Sequence, residues 1–144
     1  MAKENVMRIL IDTNILFSVA LYPNSTPQKA FELAVSPPNT AIVSYQSLEE
    51  LTSVFHKKIP NKISLLEHFL VTYLCGVELI AVPNTYINSE TKIRDIDDRT
   101  IYRAAVKAKA DIILTGDKDL LESGITSPQI MTAREFLEIN DSMH

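Results

Sequence analysis

Cysteine is nearly absent: Cys75 is the only one in 144 residues. One thiol cannot close an internal disulfide, so any fold must rest on a packed core, and the chain suits a reducing compartment. Cys75 itself, in Leu74-Cys75-Gly76, reads as a small buried hydrophobe. Long apolar runs are missing too. No stretch approaches the ~20 residues that cross a bilayer. Met1-Ala2-Lys3-Glu4-Asn5 precedes the first apolar run without a signal-peptide core, so the expected location is cytoplasmic, with no membrane partner. The chain has no Gly-x-Gly-x-x-Gly fingerprint, no phosphate-binding Gly-x-x-x-x-Gly-Lys-Ser/Thr loop and no Gly-x-Ser-x-Gly elbow. Nucleotide-cofactor and serine-hydrolase readings lose support. His56, His68 and His144 lack metal-ligand spacing, and the first two are expected on exposed helix faces. Positive charge is the minority: 14 Lys and Arg against 18 Asp and Glu, net −4. That argues against a nonspecific nucleic-acid coat, but an acidic site that gathers cations is compatible with action on nucleic acid.

What is present is an ordinary globular composition, 46% apolar and 22% charged, in a length suited to one domain spanning 1–144. Short β-rich runs at 6–11, 40–43, 77–82 and 111–114 alternate with helical stretches. A fifth, short edge strand is expected at 129–131. Pro27 suits the first position of one helix, and Thr132-x-x-Glu135 is a capping box that opens the last. Ile101, Ala104, Ala105 and Ala108 give a helical stripe, while 83–96 reads as a long loop. Alternating strands and helices imply a parallel sheet covered on both faces, with functional groups gathered beyond the carboxyl ends of the strands.

Four acidic stations fall at such places. Asp12 follows the first strand, and Asp117 follows the fourth after Thr115-Gly116. Glu50 and the pair Asp97-Asp98 sit on the first turns of helices. Each has a structural explanation taken singly. Asp12, Asp97 and Asp98 can cap helices, Glu50 can complete a Ser47-x-x-Glu50 capping box, and Asp117 can shape a turn. Capping does not explain their joint placement. Several carboxylates at one mouth repel each other unless hard divalent cations join them. The matching chemistry is Mg²⁺- or Mn²⁺-assisted phosphodiester hydrolysis, with two ions ~3.5–4 Å apart in the fullest form. Thr13, Asn14, Ser44 and Thr115 are candidates to orient the acids. Arg94, Arg99, Arg103 and Lys118 are candidates for phosphate contact, with exposed solubilising charge as the alternative.

Ile11-Asp12-Thr13-Asn14, Glu50, Arg94-Asp95-x-Asp97-Asp98 and Thr115-Gly116-Asp117-Lys118-Asp119 together resemble the PIN-domain family of metal-dependent ribonucleases, over roughly residues 7–121. The resemblance implies a three-layer α/β/α sandwich with a central, mainly parallel sheet. It also implies cleavage of single-stranded RNA with Mg²⁺ or Mn²⁺. Asp12, Glu50, Asp98 and Asp117 match the family's acidic quartet, and Asp119 is a further ligand candidate. Ile96 stands where many relatives carry proline, so Asp97 stays a candidate beside the preferred Asp98. Many prokaryotic members resemble toxins of toxin–antitoxin pairs, which makes an antitoxin an expected partner.

Two readings from other classes stand beside this one. A receiver-like signalling domain also carries acids at strand exits and Mg²⁺, but it needs paired acids at the first exit, where this chain has Asp12 alone. An inactive RNA- or protein-binding scaffold is the other. The apolar content of 44–74, including Leu48, Leu51, Phe55, Leu65, Leu66, Phe69 and Leu70, exceeds what one small sheet is expected to bury, and so suggests a homodimer.

Overall fold

The computed structural model describes residues 6–141. Strand β1 (Arg8–Ile11) lies at the centre of a five-stranded sheet with β2 (Thr40–Ser44), β3 (Glu78–Ile80), β4 (Ile112–Leu114) and β5 (Gln129–Met131). The order is β3-β2-β1-β4-β5, and every neighbouring pair is parallel. The chain passes from one side of β1 to the other between β3 and β4. The mouth above β1 and β4 is therefore the switch point, where an open sheet of this kind leaves a crevice.

Side chains on β1 alternate between the two faces. Ile9 and Ile11 join Ala41, Val43, Ile112 and Leu114 in one core, whereas Leu10, Ile42 and Ile113 belong to another. Helices α1 (Thr13–Leu21), α2 (Thr26–Val35), α3 (Tyr45–Lys58), α4 (Ile63–Tyr73) and α7 (Ala133–Asp141) cover the first face, with Leu16, Phe31, Phe55, Phe69 and Phe136 at its heart. Helices α5 (Arg99–Lys107) and α6 (Lys118–Leu121) cover the second with Ile101, Tyr102, Ala105 and Leu120. The result is an α/β/α sandwich with a thick and a thin side.

Local signals explain most boundaries. Ser25 caps α2, so Thr26 takes the first helical position and Pro27, expected there, falls one residue later, still within the turn whose N–H groups have no helical partner. Thr132 and Glu135 exchange backbone-to-side-chain bonds of 3.0 and 3.1 Å at the start of α7, the expected box.

Several expectations are corrected. Strand β3 is shorter than its apolar run because it pairs only with β2, at the sheet edge. Segment 83–96 is not plain loop: 3₁₀ turns occupy Asn88–Lys92 and Ile96–Asp98. Cys75 is exposed, because it sits in the 3₁₀ turn Leu74–Gly76 that leaves the end of α4. The apolar residues expected to seek a second copy pack inside this chain. Leu51, Phe55, Leu66 and Phe69 are buried, and Leu48, Leu65 and Leu70 lie against the same core. The apolar side chains left exposed nearby are Tyr45, Val71 and Leu74. His56 and His68 are exposed, and His144 lies outside the described residues. No helix among the described residues is long and apolar enough to cross a membrane.

Candidate active site

Asp12 is fixed first by the sheet. Its N–H donates to the Leu114 carbonyl at 3.0 Å, which extends the β1–β4 ladder one step beyond the strand. Its Oδ1 accepts the Thr13 N–H at 2.7 Å and caps α1. Its Oδ2 accepts Thr115 Oγ1–H at 2.7 Å and Asn14 Nδ2–H at 3.0 Å. The Thr115 hydroxyl in turn accepts the Asp117 N–H at 3.0 Å, and Asn14 Oδ1 accepts the Gly116 N–H at 3.0 Å. Asp12, Asn14 and Thr115 thus stitch the ends of β1 and β4 together.

Asp117 caps α6, accepting the Asp119 N–H on Oδ1 at 2.8 Å. Capping and site-building are not rivals here. The cap engages one carboxylate oxygen and so aims the other.

Glu50 arrives from β2. Ser44, at the end of that strand, caps α3 by accepting the Ser47 N–H at 3.0 Å. Ser47 is therefore not the cap, and the Ser47–Glu50 capping box expected from spacing does not form. Glu50 lies further along the helix and turns toward α1 instead. Thr13 Oγ1 lies 2.9 Å from both Glu50 Oε2 and Ser47 Oγ, while Gln46 Nε2 donates to Glu50 Oε1 at 3.1 Å. Glu50 is exposed, as is Glu49.

Asp98 holds the N-cap position of α5 without capping it. One oxygen, Oδ2, is buried and meets no hydrogen-bond partner. Burial, then the charges of Asp117, Asp95 and Asp12, push its carboxyl up to about 7. Asp12 shifts upward as well, chiefly through burial, against the bonds from Thr115 and Thr13; Asp117 and Glu50 add to the rise. Asp95, Asp98 and Asp119 can each present an oxygen within 4.8 Å of the others. Asp97, the alternative to Asp98, is exposed, and its N–H donates to Asp95 Oδ1 at 3.0 Å. Asp95 was not among the ligand candidates read from the sequence, although it stands inside the motif that flagged Asp97 and Asp98.

This donor set fits a hard divalent cation. It is built from carboxylates, two of which, Asp98 and Asp12, are pushed up by burial and by their acidic neighbours, with an orphaned buried oxygen in their midst and no thiolate or imidazole among them. Asp12, Asp98 and Asp117, with Asp95 and Asp119 beside them, could hold Mg²⁺ or Mn²⁺.

The basic candidates are mostly engaged elsewhere. Arg94 Nη2 donates to Asp119 Oδ1 at 2.7 Å and lies 3.6 Å from Glu122. Arg99 Nε donates to the Ile93 carbonyl at 2.9 Å. Arg103 places its fork on Glu90, with Nε–Oε2 at 2.7 Å and Nη2–Oε1 at 2.6 Å, so it is removed from phosphate contact by a buried partner. Lys118 is exposed. Glu90 escaped the sequence reading because Asn88-Ser89-Glu90-Thr91-Lys92 looks like a solvated run.

Comparison with known proteins bears on the family and the fold. The PIN domain family model matches residues 8–119. An uncharacterized protein of Methanocaldococcus jannaschii is 30% identical over 140 residues, 94% of this chain and 82% of that one. Among solved structures, a chain of Rickettsia felis VapBC2 bound to a promoter DNA fragment superposes with a TM-score of 0.64 at 20% identity, covering 88% of this chain and 98% of that chain. Mycobacterium tuberculosis VapC20, a Sarcin-Ricin loop cleaving toxin, gives 0.57 at 14% identity, covering 81% and 95%. At these identities the two structures bear on the fold alone.

Proposed function

The chain belongs to the PIN domain family, and on that premise we propose that it is a metal-dependent endoribonuclease acting on single-stranded RNA, built as one domain over 1–144. The observation that carries this reading is the Asp98 carboxylate. It can bring an oxygen within 4.8 Å of Asp95 and Asp119, feels the charges of Asp117, Asp95 and Asp12, and has a buried oxygen that no protein donor meets. A chain that needed Asp98 only as a helix cap would have used it as one.

Bound Mg²⁺ or Mn²⁺ would supply charge neutralisation at a phosphate oxygen and ready loss of a proton from water. The residues do the rest. Asp12 is immobilised by Thr115, Asn14 and the β-ladder, and gives the site a fixed reference. Asp117, anchored through one oxygen on the α6 amide, and Asp98 close the ligand set, with Asp119 and Asp95 at its edge. Glu50, oriented by Thr13 and Gln46, is placed to complete that set or to position the attacking water. Attack at phosphorus expels the 3′-oxygen and leaves a 5′-phosphate. Ser44 acts indirectly, by setting the start of α3 and hence the height of Glu50.

A place in a toxin–antitoxin pair is the biological setting we favour, with an antitoxin protein as partner and the cytoplasm as location. The likeness in fold to a loop-cleaving toxin supports it. Self-association as a homodimer now rests on the exposed Tyr45, Val71 and Leu74. A strictly monomeric mass by light scattering would remove it.

The deciding experiment incubates purified protein with single-stranded RNA in Mn²⁺ and in excess chelator, beside Asp12→Asn. Cleavage should need the metal and vanish in the variant. Cleavage that survives chelation, or an Asp12→Asn protein as active as the native one, overturns the reading.

A further inference from the structure

We infer that a groove beside Asp117 seats the nucleotide next to the scissile phosphate, and that Arg134 is the residue that grips that nucleotide's phosphate. This deepens the ribonuclease reading of the acid pocket and rests on it. The groove has a volume of about 500 Å³. It is lined by Thr115, Gly116 and Asp117 beyond β4, by Ser18 of α1 and Thr26 of α2, and by Thr132 and Arg134 where β5 gives way to α7. It thus leaves the acid pocket over the ends of β4 and β5, on the thick side of the sheet.

Charge decides the direction. A polyanion that crosses the pocket has two flanks on which to continue. The α5–α6 flank presents Asp95, Asp97, Asp119 and Glu122 against Arg94, Arg99 and Lys118; Arg94 is held by two of those acids and Arg99 by the Ile93 carbonyl, so among the described residues the acids there outnumber the free cation Lys118. Along the groove, Asp117 at the junction is the only carboxylate among the lining residues, and Arg134 is their one cation. The side chain of Arg134 is 83% exposed, and its Glu138 partner lies 3.4 Å away within the same helix. Such an exposed pair is weak and yields readily to a phosphate. Its walls also carry the hydroxyls of Ser18, Thr26 and Thr132, which suit phosphate oxygens and ribose hydroxyls. Ile15, Pro27 and Ala133 give apolar surface for a sugar or base face. The volume falls in the range of small-ligand sites, ~300–1,000 Å³, which matches one nucleotide of a single strand.

The test measures binding and turnover separately. Fluorescence anisotropy of a labelled single-stranded RNA decamer is read on the Asp98→Asn background, where cleavage does not consume the probe. Arg134→Glu should weaken binding about tenfold and make the slope of log affinity against log salt shallower by about 0.7, the share of one phosphate on a single strand. Thr26→Phe, which fills the groove from an exposed position, should weaken binding to a similar degree. Lys107→Glu, at the far end of α5, should change neither value. With Asp98 restored and Mn²⁺ present, Arg134→Gln should raise KM and leave kcat unchanged. If Arg134→Glu and Thr26→Phe both bind RNA like the native groove, this inference is overturned while the ribonuclease reading stands. If the chain with an intact groove binds no single-stranded RNA, both fall.

Discussion

Glu90 and Asp98 stand on the same irregular connection between β3 and α5, yet the fold treats their carboxylates in opposite ways. Glu90 is fully buried and answered in full. Arg103 gives it two charge-assisted bonds, the Ile87 N–H a third at 3.1 Å, and the guanidinium holds its carboxyl below the usual range. Asp98 also has an oxygen out of water, but its charged neighbours are acids, and its carboxyl is pushed up to about 7. Where the architecture needs a buried carboxylate for its own sake, the chain supplies the counter-cation. Where it does not, the missing charge has to come from outside. One connection thus holds a staple at its middle and an open valence at its end.

That contrast can be broken by substitution. Asp98→Asn should lower cleavage about a thousandfold or more, the several kcal/mol expected when a metal ligand is lost. It should also raise the thermal midpoint of the metal-free protein, because a repelled charge leaves the cluster. A fall in the midpoint on melting would mean that Asp98 is structural after all. Glu90→Gln should do the reverse. Loss of the charge opposite Arg103 should lower the midpoint by on the order of 10 °C. Mn²⁺ affinity, measured by calorimetry well below that midpoint, should stay within a few-fold of the native value.

A pH series sharpens the same point more gently. Asp98 binds its proton more tightly folded than unfolded, so the native state holds the extra proton between the ordinary carboxylate range near 4 and about 7. Stability of the metal-free protein should therefore fall as pH rises through that window and level off above it. The fall should shrink in Asp98→Asn, and Mn²⁺ affinity of the native protein should climb over the same interval as metal displaces the proton. Melting curves across pH 4–8 would show it; a native profile that coincides with that of Asp98→Asn would not fit. The smallest effect is expected at Glu49. Both it and Glu50 are exposed, but only Glu50 is oriented by Thr13 and Gln46. Glu49→Gln should leave Mn²⁺ titration and cleavage unchanged, whereas Glu50→Gln should weaken both. The opposite result would mean that α3 presents a different face to the pocket.

The fold was legible where local and global demands agree. Runs such as Ile9, Leu10 and Ile11 or Ile112–Leu114 are apolar on both faces because helices cover both sides of a parallel sheet, and such runs announce themselves. Thr132 and Glu135 announce a helix start for an equally local reason. The acids at the strand exits could be gathered into one mouth on paper because parallel topology forces those exits together. What stayed hidden depends on a partner further along the chain, or on which of two near neighbours sets the start of a helix or turn. Glu90 is polar within a polar run, and nothing near it points to Arg103 on the following helix. Ser47 and Glu50 have capping-box spacing, but Ser44 sits closer to the true helix start and takes the amide first. Asp95 looked like a neighbour of the important acids. Only the 3₁₀ turn Ile96–Asp98 folds it back toward Asp98.

The unequal thickness of the two sides sets an order of opening. Beneath α1–α4 and α7 lies the larger core; beneath α5 and α6 lies roughly half as many buried side chains. Local opening follows the lower density of contacts, so amides of α5, α6 and the turns before α5 should exchange with deuterium earlier than those of β1 and β2. Asp95, Asp98, Asp117 and Asp119 would all ride on the faster-exchanging side, while Asp12 directly follows β1, expected among the slowest. A ligand that ties Asp98 to Asp12 would then act as a suture between two layers of different tempo. Its arrival would be written in the slowing of α5 amides remote from the pocket.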